Sequence, residues 1–353
     1  MYNDVIRTLV QGQIGPKRPS KETLNHREII QYVSGIDPLE NTKDAFRIAY
    51  EKLGIDIVNR VPEKVCRPPL AIGETRVYDD TYKVSGLGVY DTYSRYRYPF
   101  EDPDELLEME HVPFDYSRLI TPVPHRMDRE VIAHKQQLLG PVGLYYYMYY
   151  TTLFMGGVEE LGWEIYMMAA ALDEVRFREV FLDSVFEEAK KAVELLCQVD
   201  NPFVFLHDDL ANAKGPAFNP AWYEKYIYPR YQELFSMIHQ QGKQVIFVAD
   251  GNMTELMGDL LHCGIDGAMI ETPATPLEYQ MQMLGGKILI GGIDTKLLTN
   301  GTAEQVKEHT REVCEMTREY TKFVLCASGG LHGNIPLENL KAYFAVREKY
   351  GFT

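Results

Sequence analysis

The residues best suited to chemistry in this chain stand where short apolar runs end. The run starting at Phe203 leads into His207, Asp208 and Asp209, and the run from Val245 into Asp250, Gly251 and Asn252. The run from Gly267 ends at Glu271, the one from Ile288 at Asp294, and the one from Phe323 at Ser328, Gly329, Gly330 and His332. Carboxylates gathered at one mouth repel each other, so either some stay protonated or a cation sits among them. The set therefore points to general acid–base chemistry or to a metal site. His207, Asp208, Asp250, Asn252 and His332 are the catalytic candidates, and Asp250, Glu271 and Asp294 the candidate metal ligands. Taken singly, each acid fits better as a helix cap or loop anchor, and it is the set as a whole that favours chemistry. Because His207, Asp208 and Asp209 are consecutive, at most two of them face one side of an extended chain.

Two further features could touch a substrate. Ser328 and Gly329 precede a loop whose amides suit an anion, although a Gly pair more simply allows a tight turn. The cluster from Tyr145 to Tyr150 places Tyr146, Tyr149 and Tyr150 on one face of a helix, or Tyr145, Tyr147 and Tyr149 on one face of a strand. An aromatic wall suits a flat ligand such as a corrinoid, a porphyrin or an aryl ether; core packing or a subunit interface is its ordinary use. Tyr146, Tyr149, Ser328 and Gly329 are the candidate substrate-binding residues. No GxGxxG follows a strand and no GxxxxGK[ST] occurs, so dinucleotide and P-loop sites lack support.

The five apolar runs recur about every 30 residues and are bounded by turn residues, the mark of parallel strands buried on both faces. Helix signals lie between them. Asn219 and Pro220 open a helix running to Gly242, Thr275–Glu278 and Thr302–Gln305 read as capping boxes, and a last helix runs from Pro336 toward Gly351. Further upstream, Lys43–Gly54 reads as a helix entering a strand at Ile55–Val58, and residues 160–199 as mostly helical. Such alternation gives a (β/α)₈ TIM barrel or an open doubly wound sheet. Eight units need ~250 residues, and the length of 353 leaves room for an elaborated N-terminal region. The expected organisation is one barrel domain over 1–353, with 1–120 an extension and excursion and 121–353 most of the barrel.

Composition narrows the partners. Hydrophobic residues at 45% and charged residues at 25% mark a globular chain, and a net charge of −15 repels nucleic acid and anionic membrane surfaces. There is no apolar run of transmembrane length and no signal-peptide pattern at Met1–Val10. Five scattered cysteines without a CxxC fit reduced thiols in a cytoplasmic protein.

An ordered series of segments carries a resemblance: His207–Leu210, Gly215–Pro220, Tyr228–Pro229, Gly242–Val245, Asp250–Asn252, Gly264–Gly267, Gly291–Asp294, Gly301–Glu304 and Pro336–Asn339. Weaker similarity continues upstream through Ala49–Gly54, Tyr98–Pro99 and Gly140–Pro141. Together they resemble the uroporphyrinogen decarboxylase superfamily, which implies a (β/α)₈ barrel. One branch decarboxylates without a cofactor, using an N-terminal arginine motif whose pattern is absent from Gln13–Arg27. The other comprises corrinoid-linked methyltransferases, several of which bind zinc through His-x-Cys and a later Cys. Here those positions hold Val248, Asp250 and Gly329. The resemblance thus implies a methyltransferase moving a methyl group between a small methoxy- or methylamine-type substrate and a corrinoid carried by a partner protein. Its zinc or other divalent metal would take an oxygen-rich site built from Asp250, Glu271 and Asp294 with His207 or His332. The alternatives are a decarboxylase of a carboxylated ring compound and a non-catalytic barrel that binds a tetrapyrrole or a partner. A homodimer is expected by likeness to the decarboxylase branch.

Overall fold

The computed structural model describes residues 4–13, 15, 17–63, 75–78, 81–85, 91–95, 99–115, 128–150 and 152–352. Phe203–His207, Gln244–Ala249, Gly267–Ile270, Ile288–Ile293 and Phe323–Ala327 lie side by side in chain order, all parallel. Alternation explains why these runs are apolar throughout. Phe203, Phe205, Ile246, Val248, Ile288, Ile290, Val324 and Cys326 form an inner cluster. Their neighbours Val204, Leu206, Val245, Phe247, Leu289 and Leu325 face the surrounding helices.

The remaining segments close the ring. Met148–Tyr149 pairs with Phe203–His207, and Leu144–Tyr145 with Ile57–Val58. Lys21 bridges to Ile57 and Ser20 to Leu325, which joins the last strand to the first. With Leu144–Tyr149 counted as one segment and Ser20–Asn25 as the first, the pairing runs round eight parallel segments, the barrel that the 30-residue rhythm predicts. Ile6 and Leu9, from the helix Asp4–Gln11, join the inner cluster. Two of the eight segments come from the first sixty residues, so residues 1–120 do more than extend and decorate the barrel.

Of the expected excursion, three antiparallel strands, Thr75–Tyr78, Thr81–Ser85 and Asp91–Arg95, and the helix Pro103–Glu108 are described, whereas Cys66 and Tyr98 lie outside the described residues. Helix ends follow local chemistry. Asn41 caps Thr42–Leu53, which stops at Gly54 with φ +64°, and Thr302 forms its capping box with Gln305. Asn219 caps Pro220–Tyr226, after which a separate helix, Tyr228–Gln240, begins with Pro229 in its first turn. Thr275 does not cap Leu277–Leu284; its hydroxyl is used elsewhere, as described below. Among the described residues no helix is long and apolar enough to cross a membrane.

The first segment is held by a buried polar network. Tyr343 Oη donates to Glu22 Oε1 at 2.5 Å, and Arg347 donates to Ser20 Oγ at 2.6 Å and to the Phe352 carbonyl at 2.7 Å. Burial pushes the Glu22 carboxyl up to about 7, against the pull of Arg347 and Tyr343. An acid that holds its proton more tightly when folded stabilises fully below its unfolded pKa of ~4.3. That contribution is lost as the pH rises toward about 7. Wild type should therefore lose stability relative to Glu22→Gln between about pH 5 and about pH 8 in urea titrations. A wild type that gains on the variant over that range would contradict the assignment.

Candidate active site at the barrel mouth

Inward alternation on two adjacent strands continues from Phe205 to His207 and from Val248 to Asp250. At the C-terminal mouth the two side chains meet Asp209. His207 Nε2 lies 3.2 Å from Asp209 Oδ1, and the same oxygen accepts the Asp250 N–H at 2.7 Å. Ligand atoms of His207, Asp209 and Asp250 all lie within 4.8 Å of one another. His207 Nδ1 is buried without a hydrogen-bond partner, and Tyr150 packs edge-on against the imidazole at a centroid distance of 4.9 Å.

The charges are strongly coupled. Burial disfavours the imidazolium, but Asp209 and then Asp250 outweigh it and push His207 up to about 9. Against a burial that would raise it, Asp209 is pulled below the usual carboxylate range by His207. Asp250 is accessible to solvent, yet the surrounding protein and the Asp209 charge push its carboxyl up to about 6, with Glu271 adding to the rise.

Glu271 and Thr275 aim the Asp250 loop. Glu271 Oε2 accepts the Gly251 N–H at 3.0 Å, and its Oε1 faces the exposed Lys296 Nζ at 3.5 Å. Thr275 Oγ1 donates to the Gly251 carbonyl at 2.9 Å and accepts the Met253 N–H at 2.8 Å. Gly251 has φ +87°, and a Cβ there would stand 2.7 Å from the Ala211 carbonyl oxygen. Gly251→Ala should cost about 1–3 kcal/mol in chemical denaturation and lower activity by displacing Asp250. An unchanged midpoint and an unchanged rate would contradict this.

The other sequence candidates take different places. Asp208 turns away from the mouth: it is fully buried and accepts three backbone N–H groups and a tyrosine hydroxyl, which corrects its reading as a catalytic group. Asn252 closes a turn by accepting the Thr254 N–H at 3.1 Å, so its amide oxygen is spent locally. Asp294 caps Thr295–Asn300 through the Lys296 N–H at 2.8 Å and is not part of the cluster that draws in Asp250. His332 is buried in register with Asn25, on the first segment's side of the barrel, with Thr299 Oγ1 at 3.5 Å. Ser328 ties strand ends together through the Thr272 and Ile293 carbonyls, and the Gly329 N–H donates to Thr295 Oγ1 at 2.7 Å.

The Tyr run is extended, so alternation separates its two candidates. Tyr146 faces inward and stacks on Phe205 at 3.9 Å, whereas Tyr149 belongs to the outer core. Lys21, buried inside the barrel, is a polar group for which the sequence carried no signal, because the residues from Ser20 to Asn25 are too polar to read as a barrel strand. A cavity of about 500 Å³, lined in part by Gln136, Leu144, Tyr145 and Asp200, opens near the N-terminal ends of the strands, away from this chemistry. Barrels of this kind place their reactions at the other end.

The architecture and site define a TIM barrel with an acidic, histidine-bearing mouth. Residues 167–350 match the family Uroporphyrinogen decarboxylase (URO-D), more than half of the chain, and the chain belongs to that family. Among solved structures, a methyltransferase from Methanosarcina mazei is similar with a TM-score of 0.65 and 18% identity, covering 98% of this chain and 97% of that one. At that identity the likeness is one of fold. A xylose isomerase-like TIM barrel protein from Mycobacterium smegmatis, in complex with magnesium, reaches a TM-score of only 0.31 at 13% identity, over 48% of this chain and 68% of its own. The comparison with curated proteins found no match.

Proposed function

We propose that this chain is a methyltransferase of the uroporphyrinogen decarboxylase family. It would take a methyl group from a small methoxylated or methylamine-type compound and pass it to a corrinoid carried by a partner protein. The observation that carries this reading is the His207–Asp209–Asp250 cluster at the barrel mouth. The near full-length fold similarity to the methyltransferase from Methanosarcina mazei supports it.

When the methyl leaves, the bonding electron pair stays on the oxygen or nitrogen that held it, and that atom needs a proton or a positive charge nearby. The cluster fits a divalent cation. It offers one imidazole and two carboxylates within 4.8 Å, and a buried imidazole nitrogen without a partner. Mixed nitrogen and oxygen donors suit zinc or manganese better than a softer, thiol-binding ion. Bound there, the cation would act as a Lewis acid on the leaving heteroatom. His207 and Asp250 would hold it from neighbouring strands, Asp209 orients His207, and Glu271 steadies the loop that carries Asp250. Among the described residues no cysteine joins the cluster: Val248 lies in the inner core, and the Cys326 thiol, also in the inner core, is pushed up to about 12 by burial.

A decarboxylase of multiply carboxylated rings would need several cations. Among the described residues the barrel interior offers one buried lysine, Lys21, and the His207 imidazole, which is already paired with Asp209, facing an acidic mouth. The test is to mix the protein with cob(I)alamin and a panel of methoxybenzoates and methylamines. Loss of the cob(I)alamin absorption with release of demethylated product is expected. No transfer from any donor, with carbon dioxide released from carboxylated rings instead, would replace this reading with the decarboxylase.

A further inference from the structure

Lys21 is a buried charge that touches none of the mouth carboxylates and acts on Asp250 only through space. Its residue is 1% exposed, and its Nζ donates to Thr23 Oγ1 at 3.0 Å, whose hydroxyl donates in turn to Asn59 Oδ1 at 2.9 Å. The ring centroid of Tyr146 lies 6.0 Å from the same nitrogen. Among the described residues this nitrogen makes no direct ion pair with a carboxylate, although Glu22, Asp250 and the Cys326 thiol lie within its electrostatic reach. Burying an ammonium that touches no carboxylate costs several kcal/mol, which Glu22 and Asp250 offset only through space, so a direct anionic partner would be stabilised there.

Its surroundings supply an independent sign. Asn25 stands on the same inward face of the first segment, two residues beyond Thr23. It is 7% exposed, and its Oδ1 is buried with no hydrogen-bond partner. Counting round the ring, Gln244–Ala249, the strand that leads to Asp250, is the fourth neighbour of the Lys21 segment and so lies across the barrel. The interior thus has a wall of ammonium, hydroxyl and amide opposite a wall of imidazole and carboxylates.

We propose that Lys21, with Thr23 and Asn25, is the anchor for a carboxylate on the methylated substrate, so that the substrate is a methylated monocarboxylic acid. This rests on the methyltransfer reading above. A carboxylate bound at Lys21 makes a charge-assisted hydrogen bond in a water-poor interior and balances the buried charge. The far end of the same molecule then reaches toward His207 and Asp250. One cation matches one carboxylate, while the acidic mouth repels molecules that carry more.

Calorimetric binding to the full chain tests this with two matched pairs, 4-methoxybenzoate against 4-methoxybenzyl alcohol and trimethylglycine against choline. Each pair exchanges a carboxylate for a hydroxymethyl group. Wild type should bind at least one acid about tenfold or more tighter than its alcohol. Lys21→Met should abolish that preference and leave alcohol binding unchanged. Replacing a buried charge that makes no direct ion pair with an apolar side chain of similar shape is not expected to unfold the barrel, and circular dichroism checks this. Thr23→Val, read alongside, should shrink the preference in the same direction and decides the matter if Lys21→Met does not fold. A wild type with no preference for either acid, or a Lys21→Met that keeps it, overturns the anchor. Binding needs no turnover, so the two readings fail separately. Methyl transfer without acid preference removes the anchor, and acid preference lost with Lys21 but without methyl transfer removes the methyltransferase.

Discussion

Asp250→Ala is expected to slow methyl transfer by about 10²-fold or more, the usual scale for losing one preorganised charged group at a reaction centre. The fold should survive. The Asp250 side chain is open to solvent, and its backbone N–H, which holds Asp209 at 2.7 Å, remains in the variant. What disappears is the charge that His207 and Asp209 share at the mouth. Asp250→Asn keeps the shape and removes only that charge, so it should lose nearly as much. The rate of cob(I)alamin loss with a working donor, read beside a urea titration, separates the effects. A variant that keeps more than about half of the wild-type rate would show that the cluster is not the reaction centre.

Asp208→Ala should be the most destabilising single change at the mouth, at about 3–5 kcal/mol. Its carboxylate accepts the N–H groups of Leu153, Phe154 and Met155 at 3.0, 2.9 and 2.6 Å and the Tyr231 hydroxyl at 2.6 Å. The helix Phe154–Leu161 begins there, and its own N-cap residue, Leu153, has no side chain able to cap it. A residue more than fifty positions away does that work. Truncation leaves buried donors with no acceptor, each costing roughly 1–3 kcal/mol before relaxation. Urea unfolding measures the loss, and a change below about 1 kcal/mol would contradict the capping role.

Adjacent residues with such different duties show where sequence reading succeeds and where it stops. The five runs from Phe203 to Ala327 were legible because strands buried on both faces are apolar throughout, and their polar ends mark the mouth. The positions of Asp250 and Glu271 at the strand ends could be read from that alone. Asp208 and Asp209 look identical in the sequence, but the way the chain leaves its strand sends one into the core and the other to His207. Asp294 and Asp250 both end apolar runs, and only the structure shows that Asp294 caps the helix after it. The Tyr run fits a helix or a strand equally well, so its inward member emerged only once pairing made it extended. The stretch Ser20–Asn25 gave no strand signal because its outward Ser20 and Glu22 meet a buried Arg347 and Tyr343, and its inward Lys21 and Thr23 face a polar interior.

The most direct test of the mouth cluster is the metal content of wild type and His207→Ala, each purified without chelator and dialysed against zinc or manganese. Wild type should retain about one equivalent per chain, and the variant less than about a tenth. Equal content in the two proteins, or a wild type that retains none, would contradict a cation held by His207 and Asp250, with Asp209 orienting the imidazole.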